Sequence, residues 1–434
     1  MQVATDKLSD VLRCCPHFDR LLTLNTTNDA YLVGGAIRDG LIGRPITDLD
    51  LISASDPTSM ARLFAKQIGG HWFWLDKDRL QSRVVVNHED DRLYYDFAMF
   101  RAASLELDLL DRDFTINALA LSMTETISAF SLIDPFSGLG DLQQGTLRMV
   151  SKNAFANDAL RIIKGVRHAT ALGLEIEAET LKAMQIENEG LGRVAPERVR
   201  QEVWKTLSDK QAGRGLQLLC ECKAGETLFG RDFTYQINRL NEQLKGIHEV
   251  WSQLTQSHPI VKGWLAQEIE QGLSNETLLL WTLLLTSIDH DLPIQLADKW
   301  LLSRKARANI RAIVALDQVA LNEFVTIAHN ERAFTWWAAR YSVDPKLLLL
   351  AVAILGSMFP LDAIRTWVPL VARINDQRLS DQVDGHWLRS ELGLKEGPEM
   401  TKALQLLRNA EISGQVSNKD DARRFLVEHY QNKD

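Results

Sequence analysis

The sequence predicts an α+β head over residues 1–150, followed by an all-α extension to the end of the chain. Three observations carry that reading. Up to about residue 150, short β-type runs alternate with helical patterns. From Asn157 onward the apolar period becomes helical. Pro196, Pro259, Pro293, Pro345, Pro360 and Pro369 then punctuate this second part without any strand-rich block. Mixed elements first and helices after is the pattern of an α+β unit joined to a helical one. With 434 residues the chain exceeds one ordinary core, so about two to four domains are expected.

The head is read from its strands. Tyr31-Leu32-Val33, Asp50-Leu51-Ile52, Arg83-Val84-Val85-Val86 and Leu93-Tyr94-Tyr95-Asp96-Phe97 are β-type runs bounded by turn or charged residues. The helical part is read from its period. Leu160, Ile163, Val166 and Arg167 stand at i, i+3, i+6 and i+7, and apolar residues keep that spacing nearly to the end. Several of the 11 Trp residues fall in such patterns as packing residues. The longest apolar stretch, Leu347 to Phe359, is broken by Gly356 and stopped by Pro360. It is too short to span a bilayer and predicts a buried helix, so no membrane partner is expected.

Composition narrows the class. Hydrophobic content of 45% and charged content of 24% are those of a soluble globular protein. The first residues lack a signal-peptide core, which points to the cytoplasm. Cys14-Cys15 and Cys220-x-Cys222 lack zinc-site spacing and read as reduced cysteines. A net charge of −8 counts against a protein that coats nucleic acid, but allows an enzyme with a local basic strip.

The densest chemical signal is Leu32-Val33-Gly34-Gly35-Ala36-Ile37-Arg38-Asp39, then Gly43-Arg44, then Asp48-Leu49-Asp50. A strand runs into a Gly-Gly turn, and a helix starting there aims backbone N–H groups at an anion. Arg38 and Arg44 add positive charge suited to phosphate. Asp48 and Asp50 stand two apart on a predicted strand and so share one face. Two carboxylates side by side repel unless a cation lies between them, and Mg2+ with phosphate ligands meets that need. A Gly-Gly turn alone is an ordinary turn, and Asp-x-Asp alone a solvated strand edge. In this order and within about twenty residues, they favour a phosphoryl-transfer site.

The block from Leu32 to Ile52 resembles the first motif of the class II tRNA nucleotidyltransferase and bacterial poly(A) polymerase family. Further resemblances follow in the family's order. Arg112-Asp113-Phe114-Thr115-Ile116-Asn117-Ala118-Leu119 is similar to the motif that contacts the nucleotide ribose. Asp134-Pro135-Phe136-Ser137-Gly138 with Asp141-Leu142 resembles the hinge-like motif. Asn157-Asp158-Ala159-Leu160-Arg161 resembles the helix whose Asp and Arg act as an amino-acid template for the incoming base. Pro196-Glu197-Arg198 with Glu202 resembles the motif that steadies that helix. The resemblance implies a polymerase-beta-like head over residues 1–150, a helical neck over 151–215, and an all-α body and tail over 216–434 that binds tRNA.

It also implies roles. Asp48 and Asp50 would be the catalytic, Mg2+-binding carboxylates. Gly34, Gly35 and Arg38 would hold the triphosphate, and Arg112, Asp113 and Asn117 the ribose. Asp158 and Arg161 would read the base, as an acceptor and a forked donor three apart on one helical face. Without the surrounding motifs that pair is a surface salt bridge. Arg112, Asp113 and Asn117 also read as a structural capping cluster, an alternative that bears most on Asn117. Asp96, on a neighbouring predicted strand, is a candidate third carboxylate.

Three departures from the family's pattern matter. Asn157 stands where Glu is usual, and Asp111 where the first of two arginines is usual. Between Phe100-Arg101 and Leu105-Glu106-Leu107-Asp108 only Ala102-Ala103-Ser104 remain, where members that build the whole CCA end carry a flexible loop. A base-reading pocket without a mobile lever has little means of changing the hydrogen-bond pattern it accepts. The resemblance therefore implies transfer of cytidylate from CTP to the tRNA 3′ end, stopping after two cytosines, with a separate A-adding enzyme completing the product. Full CCA addition, which also uses ATP, is the first alternative, and poly(A) synthesis the next.

The helical part resembles the family more faintly. Asp384-Gly385, Leu392-Gly393-Leu394, Gly397-Pro398 and Gly414 resemble the tail of tRNA-specific members. The basic run from Lys299 to Arg311 reads as a helical grip on tRNA phosphates or, equally, as a solvated face. His290-Asp291 has no companion ligands for a metal phosphohydrolase site. A catalytically dead RNA-binding protein on the same fold should lack the Asp-x-Asp pair, which is intact here. An enzyme that modifies a protein or small molecule would share the Gly-Gly turn and that pair, but not the template helix and long α-body.

Overall fold

The computed structural model describes residues 8, 11–12, 15–24, 29–88, 91–123, 131–327, 333–334, 337–338, 340–341, 343–355, 361–373, 383, 385–394, 397–412, 415–416 and 418–431. Cys14, Asp384 and Gly414 lie outside the described residues. Two compact units divide the chain, Met1–Gly230 and Arg231–Asp434.

The first unit is built on a seven-stranded mixed sheet of order β3-β4-β5-β2-β1-β6-β7. Its strands are β1 (Ala30–Val33), β2 (Asp48–Ser53), β3 (His71–Asp76), β4 (Gln81–His88), β5 (Asp91–Met99), β6 (Ala120–Ser122) and β7 (Leu132–Ile133). Only β2 and β5 run parallel. The four runs expected from sequence fall in β1, β2, β4 and β5. One face of the sheet is covered by a large cluster, and part of the other, on β1, β2 and β6, by a smaller one of Val33, Ile52, Leu109, Ala118 and Ala120. Leu49, Leu51, Val84, Val86, Leu93, Tyr95 and Phe97 are buried in one cluster with Ala61, Phe64 and Ala65. Those last three lie on the helix Thr58–Ile68. Phe64 meets Tyr95 edge-on, with ring centroids 4.9 Å apart. Each such buried side chain contributes about 1.5–3 kcal/mol. Alternation then turns Asp48, Asp50 and Asp96 to the face opposite the large cluster.

The first unit continues into helices, among them Gly138–Gln144, Ala154–Asn157, Leu160–Leu172, Ala178–Glu187, Pro196–Leu207 and Ala212–Glu221. The hinge-like block is tightly packed. Asp134 accepts from the N–H groups of Gly138 (2.7 Å) and Leu139 (3.0 Å). Thr115 Oγ1 donates to Asp141 (2.7 Å), and Arg148 joins Asp141 to Glu177. A methyl group at Gly138 would lie 2.1 Å from the Thr115 carbonyl oxygen, so only glycine fits there.

The second unit is helical, with a 26-residue helix Asp232–Ser257 and a leucine-rich helix Pro345–Leu355 buried from Leu347 to Ala353. No helix among the described residues is long and apolar enough to cross a membrane. One short hairpin is added to the helices, and two expectations are corrected here. A short hairpin, Glu268–Glu270 with Leu273–Ser274, interrupts the helices because Gly272 supplies a positive φ of 77° at its turn. Pro369 does not punctuate but sits inside Leu361–Arg373. The basic run is not one helix: Leu292–Lys299 ends, and Ser303 caps Arg304–Val314 by accepting from Ala306 N. Within it, Arg307 and Arg311 both face Asp298.

Candidate active site

Asp48 and Asp50 project from β2 into a cleft, alternating with buried Leu49 and Leu51. Neither carries a hydrogen bond or ion pair to another described residue. Both pKa values are raised, first by desolvation and then by neighbouring carboxylates, against the lowering pull of Arg83 on Asp48 and of Arg112 on Asp50. Asp96 is the register partner of Asp50 in the parallel pair, as a neighbouring-strand carboxylate should be. Its two oxygens are occupied, however, by Arg83 Nε (2.6 Å) and Nη2 (2.8 Å).

The Gly-Gly turn joins β1 to the helix Gly35–Leu41. Gly34 has φ 77° and ψ −132°, and a methyl group there would come 2.9 Å from Arg112 Nη1 and 3.6 Å from Asp50 Oδ2. Gly34 N donates to the Leu119 carbonyl (3.1 Å), which ties the turn to the chain entering β6. Arg38 is buried, giving Nη1 to Asn117 Oδ1 (2.6 Å) and Nε and Nη2 to Asp39 (both 2.9 Å). Asn117 Nδ2 donates to Asp113 Oδ1 (3.0 Å), which also accepts from Phe114 N (2.9 Å). The capping alternative does not hold in that form: the short turn Thr115–Asn117 has no side-chain cap, and Asp113 instead fixes Asn117, which holds Arg38. Arg112 sits over the turn, 3.7 Å from Asp108, and its buried Nε has no hydrogen-bond partner. Burial lowers its pKa, while Asp108 and Asp50 pull the other way. Arg44 does not contribute here: it donates to the Ala171 carbonyl (2.9 Å), outside the cleft.

The template pair differs from its expected geometry. Asp158 is extended (φ −150°, ψ 102°), at the break between Ala154–Asn157 and Leu160–Leu172, so it does not share a helical face with Arg161. The break has a local cause: Asp158 Oδ1 accepts from Leu160 N (3.1 Å), competing with a continuous helix. Its Oδ2 pairs with Arg198 (2.9 Å). Arg161 donates to the carbonyls of Asp111, Arg112 and Ala154 and lies 3.7 Å from the Asp111 carboxylate. Asp111 thus partners Arg161 where the family's pattern has a like charge.

Fold and packing form one cleft of about 880 Å³, and each of the ten site residues expected from sequence lines it. Asn157 lines it too. Eight basic side chains face six carboxylates, a local excess of positive charge in a chain of net −8. Sequence reasoning missed Arg79, Arg101, Lys164, Arg167 and His168. Arg161, Lys164 and Arg167 recur every third residue, and that basic stripe was a readable signal. His168 is buried at the cleft wall, and burial holds it well below the ordinary imidazole pKa, helped by Arg167 and Arg38. Its Nε2 faces Asn117 Nδ2 (3.4 Å) and Arg167 Nη2 (3.3 Å), two donors, so Nε2 is the acceptor. Arg167 in turn pairs with Glu202 (2.6 Å).

The connection from β5 to the next helix is short and pinned. Phe100 N donates to the Ser53 carbonyl (2.9 Å), and Arg101 N to Asp108 Oδ2 (2.7 Å). Ser104 then caps the helix Leu105–Leu110. Asp108 consequently ties this connection to Arg112.

Residues 30–148 match the poly A polymerase head domain family, and residues 173–234 the family described as the probable RNA and SrmB-binding site of polymerase A. A CC-adding tRNA nucleotidyltransferase of Geobacter sulfurreducens is 30% identical over 405 residues, covering 92% of this chain and 91% of that protein. A CCA-adding enzyme of Streptococcus thermophilus is 28% identical, with 92% of each covered. Further relatives are also named CCA-adding enzymes. Among solved structures, a Thermotoga maritima CCA-adding enzyme complexed with tRNA has the same fold, with a TM-score of 0.61, 20% identity and 98% of each chain covered. A head of this topology, with unpaired carboxylates facing a basic cleft, defines a template-independent RNA nucleotidyltransferase. With 30% identity held over nearly the full length of both chains, the protein belongs to the class II tRNA nucleotidyltransferase and poly(A) polymerase family.

Proposed function

We propose that this protein transfers cytidylate from CTP to the 3′ end of tRNA in the cytoplasm. The observation that carries the reading is the convergence of Asp48, Asp50, Arg112, Asn117, Asp158 and Arg161 on one cleft. In the reaction the RNA 3′ hydroxyl oxygen bonds to the α-phosphorus of CTP. The bond to the bridging oxygen breaks, and pyrophosphate leaves.

Asp48 and Asp50 would hold Mg2+, which supplies charge neutralisation at the transferring phosphoryl group. The residues fit that ion. Their carboxylates lack partners among the described residues, and desolvation with nearby carboxylates raises both pKa values, a cost that a cation relieves. Among the described residues no cluster of three or more His, Cys, Asp or Glu side chains could hold a metal. Water and phosphate oxygens would therefore supply the rest of the shell, as Mg2+ prefers.

The other roles fall to groups already oriented. Gly34 and Gly35 let the backbone approach the triphosphate. Arg38, locked by Asp39 and Asn117, keeps a fixed charge beside it. Arg112 lines the cleft beside Asp50 and would set its positive charge against the nucleotide. Asp158 and Arg161 present an acceptor and a donor to the base edge, the first steadied by Arg198.

Two products are in contention. Full CCA addition, with ATP used last, is supported by the larger number of relatives named CCA-adding enzymes. Stopping after CC, with a separate enzyme adding A, is supported by the short pinned connection from Met99 to Leu105 and by the Geobacter relative. The experiment is incubation of the purified protein with a tRNA transcript lacking CCA and each labelled nucleotide. CMP incorporation is expected. AMP incorporation after CC selects the full activity, and no incorporation of any nucleotide refutes the proposal.

A further inference from the structure

The structure assigns the uncovered face of β5, β4 and β3 to the single-stranded 3′ tail of the RNA, an inference that rests on the transfer reaction proposed above. Strand register lays two rows across that face. Asp50 pairs with Asp96, Asp96 with Arg83, and Arg83 with Phe73. Asp48 pairs with Tyr94, Tyr94 with Val85, and Val85 with His71. Since side chains alternate, both rows project opposite the buried Val84, Tyr95 and Phe97. Each row starts at one of the two carboxylates and ends on the edge strand.

The direction of the chemistry selects this face. An in-line displacement sets the attacking oxygen opposite the leaving one. Gly34, Arg38, Arg112 and Asn117 gather by β1 and the chain entering β6, on one side of β2. With the triphosphate on that side, the RNA hydroxyl arrives from the other, across β5.

That surface carries what a single strand needs, which is ring and apolar area with flanking positive charge. Phe73 is 44% exposed and Leu75 42%, an unusual apolar display for an edge strand. The Arg83 guanidinium lies 5.1 Å over the Tyr94 ring. Because Asp96 balances Arg83, this part of the face stacks bases rather than gripping phosphates. Arg79, at the β3–β4 turn, and Arg101, just after β5, line the cleft and supply the phosphate contacts. From β2 to β3 is three strand spacings, about 14 Å at about 4.8 Å each. That is the length of about four stacked nucleotides at ~3.4 Å each. Phe73 thus meets the tail only once it has grown.

The test uses nucleotide-free binding, followed by fluorescence anisotropy, of two transcripts of one tRNA. One ends in a single unpaired nucleotide and the other in the full four-nucleotide tail. Phe73→Ala is expected to weaken binding of the long tail about tenfold, to leave the short one unchanged, and to leave KM for CTP unchanged. Phe73→Trp should restore the affinity. Equal effects on both transcripts, no effect on either, or a changed oligomeric state would overturn the inference. Failure of the wild-type protein to add any nucleotide would instead remove the function on which it rests.

Discussion

Gly34→Ala perturbs the turn that joins strand to helix at the centre of the site. The residue sits at φ 77° and ψ −132°, where a side chain is strained by about 1–3 kcal/mol. The new methyl carbon would also stand 2.9 Å from Arg112 Nη1. Arg112 has little room to yield: its side chain is 17% exposed and lies 3.7 Å from Asp108. Together these give a loss of about 2–3 kcal/mol. At about 2–4 °C per kcal/mol for a unit of this size, Tm should fall by about 4–12 °C. Displacing Arg112 should lower kcat/KM for CTP by about tenfold or more even where the protein is folded. Thermal unfolding followed by circular dichroism, with CTP saturation kinetics at 25 °C, reads both. If the variant melts with the wild type and keeps its CTP kinetics, the reasoning about the turn is wrong.

Other expectations follow from the same geometry. Asp50→Asn should abolish transfer yet raise Tm at pH 7, because the ionised carboxylate costs the folded state and its pKa is raised there. That gain should shrink as pH falls through the raised pKa toward 3.8, and Mg2+ should raise Tm of the wild type but not of the variant. His168 is held neutral below its ordinary 6.5, so its contribution to stability is constant above that pH and is lost as pH falls below it, where only the unfolded chain gains the proton. His168→Leu should therefore flatten the acid limb of a stability profile between about pH 6.5 and 5, and an unchanged limb would contradict that assignment. Gly138→Ala meets the Thr115 backbone at 2.1 Å and should cost at least about 3 kcal/mol, seen as a lower urea midpoint.

How much of this was legible in the sequence follows from the physics of each element. Strand β2 was readable because buried Leu49 and Leu51 alternate with Asp48 and Asp50. Strand β3 was not, because Trp72 and Trp74 face the core while Phe73 and Leu75 face outward, so no polar alternation exists. The ten site residues were found by motif, and the cleft gathers them. Motif spacing could not reveal that Asp158 breaks its helix, since the cause is a side-chain bond to Leu160 N. Nor could it show Arg83 occupying both oxygens of Asp96, which depends on register between β4 and β5. His168 escaped because it lies among the buried residues of its helix, off the basic stripe of Arg161, Lys164 and Arg167. The fate of Arg44 was equally hidden, because its partner carbonyl at Ala171 is 127 residues away.

The most direct test of the account is CMP transfer from CTP to a tRNA transcript that lacks CCA, with wild type and Asp48→Ala compared at equal folding by circular dichroism. The account predicts CMP at the 3′ end and stoichiometric pyrophosphate from the wild type, with neither from the variant. Transfer by Asp48→Ala at the wild-type rate would contradict it.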